Sequence, residues 1–192
     1  MQKNLKYEAA GALAADVDPR LIKMDYEGVL TVERMKEALM MCDRDRPVHG
    51  QVSGYSLALY AMGFFDSPDL VSVPDVSAEE AGEILAEYFT EISEEQIPSD
   101  YHIAASRERY LLVVGDPLFP KHFAVVADRR NVRPYFSKLP FFGAGYDDLN
   151  ELMDEFAGVD GVSREDVHFF RKDWYGQIPP SAVGKIYIVK HH

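Results

Sequence analysis

The sequence predicts a single α+β domain built on a mainly antiparallel sheet of six or seven strands flanked by helices. Its 192 residues match one domain, at roughly 100–200 residues each. Segments with helical and with β-rich patterning alternate along the chain in the order helix, strands, helix, strands, helix, strands. The β-rich runs between residues 101 and 136 are joined by short turns, whereas a parallel return needs a crossover of roughly a dozen residues. An N-terminal helical segment, residues 1–46, is expected to pack on an α+β core spanning 50–190.

Residues 5–15 are alanine-rich with helical spacing and close at Asp16-Val17-Asp18-Pro19, and residues 21–26 read as a short strand before Gly28. Thr31-Val32-Glu33-Arg34 opens a second helix. Its stripe of Val32, Met35, Leu39 and Cys42, with Ala38 beside it, runs down to Asp43 and the breaker Pro47. Residues 52–62 place Tyr55, Leu57, Leu59 and Ala61 on one side if extended, so strand is the reading and helix the alternative. Asp66-Ser67-Pro68 turns the chain into a β-branched run at 70–73, which suggests a hairpin. Ser77 and Glu80 form a capping box ahead of Ala81, Ile84, Leu85, Tyr88 and Phe89, a helix that should end near Ile92.

Four consecutive strands are expected at 101–105, 110–114, 123–127 and 132–136. A last helix over 147–156 turns Leu149, Leu152, Met153 and Phe156 inward and stops at the glycines of 158–161. Strands at 167–170 and 185–189, with a loop at 176–180 between them, finish the domain. His191 and His192 resemble a purification-tag fragment and are set aside.

Composition narrows the function. The chain is 47% hydrophobic and 12% aromatic, as expected of a folded domain. No apolar run approaches the 18 or so residues of a membrane helix, and Met1–Ala10 lacks the apolar stretch of a secretory signal. A cytoplasmic, bacterial protein is the expectation. The net charge of −12 opposes nucleic acid or an anionic membrane as partner. Cys42 is the one cysteine, so neither an internal disulfide nor a zinc site needing several thiolates can form. His49, His102, His122 and His168 stand singly, without the paired spacing of metal ligands, and no cofactor motif is present; neither a metal nor a cofactor is expected.

Residues 54–92 resemble a bacterial family of unknown function, number 4262 among such domains, through Tyr55-Ser56, Leu59, Pro68-Asp69-Leu70 and the helix from Ala78. Ala58 stands where that family has glycine, and Asp69 where it has glutamate. The resemblance implies a strand in the segment of Tyr55-Ser56 and Leu59 and brings no activity with it. A second layout points elsewhere. Val52-Ser53-Gly54-Tyr55 before a helix, followed much later by His122 leading a β-branched strand, resembles the NlpC-type papain-like peptidases. Their nucleophilic cysteine precedes Ser-Gly, and here that place is Val52.

Two candidate sites follow. Residues 107–138 carry seven basic against three acidic residues, the one basic stretch of an acidic chain. Lys121, His122, Arg129, Arg130 and Arg133 form a candidate anion site, because guanidinium groups grip phosphate or carboxylate in bidentate fashion. Phe169, Phe170, Trp174 and Tyr175 form a candidate interaction patch. With Cys42 on an apolar helical stripe, the leading expectation is a non-catalytic binding or protein-interaction module, whose partner is another protein or, in a homodimer, a second copy of the chain. The alternative is a small-molecule enzyme or sensor that takes an anionic ligand through the basic segment.

Overall fold

A computed structural model describes residues 19–43, 52–65 and 67–173. The helix expected at 5–15, the strand at 185–189, the loop at 176–180, and Trp174 and Tyr175 lie outside them.

The first helix, α1 (Pro19–Met41), opens with proline at the first helical position, where its missing N–H costs nothing. The strand expected at 21–26 is part of this helix: Ile22, Tyr26 and Val29 recur at helical spacing, and the run was too short to reveal it. Met35, Ala38 and Cys42 are buried, as the stripe requires. The segment 52–62 is also corrected from strand to helix, α2 (Gly54–Ala61), with Ser53 as its N-cap. Every residue from Ser56 to Ala61 is buried, so neither a helical nor a strand period could show. The run at 70–73 forms no hairpin. It is a 3₁₀ turn, Leu70–Ser72, capped by Asp69, whose carboxylate accepts from the Ser72 N–H at 2.9 Å.

The helix α3 (Ala78–Tyr88) begins with the expected capping box, Ser77 with Glu80. It ends four residues before Ile92, and those residues form strand β1 (Phe89–Ile92). Residues 101–105 are a turn rather than a strand. Tyr101 and Ile103 are both buried, which mimics strand alternation, but they anchor a loop: the Ile103 N–H donates to Ala127 O at 2.8 Å and the Arg129 N–H to Tyr101 O at 3.0 Å.

Strands β2 (Tyr110–Val114) and β3 (His122–Val126) fall where expected, whereas β4 (Tyr135–Lys138) starts later than the pattern suggests. The turn before it runs on through two side-chain bonds, Asp128 to the Arg130 N–H and Asn131 to the Arg133 N–H. Strand β5 (Ala144–Asp147) has no counterpart among the expected strands, because Gly143 and Gly145 interrupt the β pattern. Helix α4 (Leu149–Asp160) closes at Gly161 with φ of 63°, and β6 (Val167–Lys172) follows.

Among the described residues the strands form one antiparallel sheet of six, in the order β1-β6-β2-β3-β4-β5, with four helices. Directly opposite residues share a face, so the register puts Leu111, Val113, Phe123, Val125, Phe136 and Phe170 on one side. Tyr110, Leu112, Val114, His122, Ala124 and Phe169 lie on the other. Helix α2 covers the first face, where the Tyr55 and Phe123 rings meet edge to face at 5.1 Å. Helix α4 covers the second, where Phe156 lies 5.1 Å from the His122 ring. At the sheet edge the Ala144 N–H donates to Cys42 O at 2.6 Å, tying the end of α1 to β5.

Candidate functional site

Strands β2 and β4 both run antiparallel to β3, so the β2–β3 and β4–β5 loops emerge at the same end of the sheet. The first turn of α2 sits between them. The Tyr55 hydroxyl donates to Pro120 O in the β2–β3 loop. On the other side, an ideal Cβ at Gly54 would lie 2.8 Å from Lys138 O and 3.5 Å from His122 Nδ1. Only a residue without a Cβ lets the helix approach β3 and β4 this closely.

The hydroxyls at this junction hold the chain together. Ser53 Oγ caps the helix at the Ser56 N–H and bonds to Val76 O at 3.0 Å. Ser56 Oγ donates to Pro74 O and accepts from the Val76 N–H, at 2.9 and 2.8 Å. Asp75 accepts from the Ser53 N–H at 3.1 Å. Both serines thus strap segment 74–76 to the helix. Cys42 is buried, and burial raises its thiol pKa against the smaller opposing effect of Lys138. A raised pKa disfavours the thiolate needed for nucleophilic attack.

The rim of this junction is apolar and open. Leu118 and Phe119 on the β2–β3 loop are 63% and 62% exposed, and Phe141 and Phe142 on the β4–β5 loop are 82% and 50% exposed. No sequence signal marked them, because each pair sits in a short proline-flanked loop rather than on a periodic stripe.

The residues expected to bind an anion are divided. Lys121 and His122 stand at the start of β3. Arg129, Arg130 and Arg133 follow its far end, across five residues of extended chain, or roughly 17 Å. Arg129 pairs with Glu94 at 2.8 Å, Arg133 pairs with Glu151, and Arg130 is exposed with Asp128 at 4.0 Å. These ion pairs join the β3–β4 connection to α4 and to the segment after β1. His122 is buried against Phe156.

Phe169 and Phe170 are core residues, 6% and 5% exposed on opposite faces of β6, which pairs on both edges. They present no aromatic patch. Among the described residues no group of three or more His, Cys, Asp or Glu side chains is placed to hold a metal ion. No described helix is long and apolar enough to cross a membrane.

Fold and junction together define an α+β protein in which a buried helix meets a strand-leading histidine through its N-terminus. No family model, curated protein or solved structure matches the chain.

Proposed function

We propose that this protein is a non-catalytic binding module that docks an apolar segment of a protein partner on the rim formed by Leu118, Phe119, Phe141 and Phe142. The observation that carries this reading is the exposure of four large apolar side chains on two adjacent loops at one end of the sheet. Clustered apolar exposure of this kind marks contact surfaces, and aromatic residues are enriched at their centres.

The junction behind the rim supports the non-catalytic half. Helix and histidine meet as in the peptidase layout, but Val52 occupies the thiol's place. The neighbouring serine hydroxyls are engaged by segment 74–76. The partner we favour carries basic residues around its apolar anchor. A chain of net charge −12 repels a second copy of itself and attracts a cationic partner.

Selection of a random peptide library on the immobilised protein tests this. Enriched peptides should combine an aromatic or aliphatic anchor with flanking Lys or Arg, and should bind at least about tenfold more weakly to a Phe141→Ser/Phe142→Ser variant of unchanged Tm. Absence of enrichment, or undiminished binding by the variant, overturns the docking surface. Peptide or amide hydrolysis that His122→Ala abolishes overturns the non-catalytic assignment.

A further inference from the structure

A separate cavity lies at the edge of the sheet where β1 ends. Strand β1 ends at Ile92, paired with Phe169, while β6 extends further back, to His168 and Val167, along β2. Beyond Ile92 the chain leaves β6 and swings towards the β3–β4 connection, where Glu94 meets Arg129. The gap so opened is a cavity of about 220 Å³, closed on the helical side by Leu149 at the start of α4. Drug-sized ligands occupy roughly 300–1,000 Å³, so this space suits a smaller molecule.

Its lining is mainly polar and carries charges of both signs beside apolar side chains. Ile92, Leu149 and Val167 form the apolar part. Glu91 and Glu94 bring carboxylates, each bonded through Oε1: Glu91 to His168 Nδ1 and Glu94 to Arg129, both at 2.8 Å. A carboxylate has about four acceptor positions, so both keep capacity for a cationic donor. Arg164, exposed on the 3₁₀ turn before β6, brings the opposite charge and forms no ion pair among the described residues. Its planar guanidinium matches a carboxylate in bidentate geometry.

We propose that this cavity binds a single α-amino acid with an apolar side chain, as the zwitterion. Arg164 takes the carboxylate, the Glu94 side chain takes the ammonium, and Ile92, Leu149 and Val167 receive the side chain. The ligand is neutral overall, which fits a lining that holds carboxylates and a guanidinium together. A lone anion would meet the two glutamates and a lone cation would meet Arg164.

The test is the melting temperature of the full chain with millimolar L-leucine, N-acetyl-L-leucine, L-leucinamide and the dipeptide Leu-Leu, because a ligand of the folded state raises Tm by mass action. L-leucine should raise Tm. The acetylated compound, lacking the ammonium, and the amide, lacking the carboxylate, should not. Arg164→Gln and Glu94→Gln should each remove the leucine shift, while Phe141→Ser/Phe142→Ser, in the β4–β5 loop, should retain it. No shift with leucine, valine, methionine or phenylalanine overturns the proposal. So does an equal shift from N-acetyl-leucine, a larger shift from Leu-Leu, or a leucine shift that survives in Arg164→Gln.

Discussion

The Lys172 ammonium on β6 donates to the Met62 carbonyl at 3.2 Å, and to Gly63 O at 3.4 Å, so a strand lysine caps the carboxyl end of α2. Helix ends leave their last carbonyls without partners and carry partial negative charge. Replacing Lys172 with methionine keeps the aliphatic stem and removes the cap. Urea unfolding should show a loss of about 1–2 kcal/mol, and Lys172→Arg should lose less.

Gly54→Ala separates helix propensity from packing. Propensity alone favours alanine by about 1 kcal/mol. The added Cβ would meet Lys138 O at 2.8 Å, a backbone atom that cannot turn away. The expected outcome is net destabilisation of about 1–3 kcal/mol, read from chemical denaturation. Stabilisation would show that α2 does not press on β4 as described.

Acid should destabilise the fold partly through Asp69 and Asp166. Hydrogen bonds hold both carboxyls below their ordinary pKa: Asp69 accepts from the Ser72 hydroxyl and N–H, and Asp166 from the Ser163 N–H and hydroxyl. A carboxyl whose pKa falls on folding adds stability above its unfolded value, near 3.9. That stability is lost as pH falls through the folded value. Melting curves from pH 6 downward should therefore fall less steeply for Asp69→Asn and Asp166→Asn than for the parent.

At the alkaline end the sign follows from the tyrosines. Burial pushes Tyr55 and Tyr135 up to about 12. Their contribution is intact below the unfolded value near 10 and is lost as pH rises towards the folded one. Stability should decline between about pH 10 and 12, and Tyr55→Phe should flatten that decline. Absorbance titration of the phenolates, followed together with circular dichroism, checks it.

Much of the architecture was legible in local chemistry. Ser77 and Glu80 announced α3 because a capping box is satisfied within four residues. The stripe of Met35, Ala38 and Cys42 marked the inward side of α1 because one of its faces meets solvent. The short turns around β2 and β3 required antiparallel neighbours, and the sheet is antiparallel throughout.

What the sequence left open lay where both sides of an element are buried, or where glycine removes the pattern. Residues 54–61 became a helix because the sheet and α1 enclose them, which local periodicity cannot register. Strand β5 formed from Ala144-Gly145-Tyr146-Asp147 because β4 pairs with it and Cys42 anchors its first N–H. Composition determined an acidic, single-cysteine α+β chain. Tertiary structure alone decided which side chains meet. It buried Phe169 and Phe170 between neighbouring strands, separated His122 from Arg129 along β3, and gathered Leu118, Phe119, Phe141 and Phe142 at one end. The reason is physical: burial and strand pairing are set by contacts between residues distant in the chain, and no local pattern encodes them.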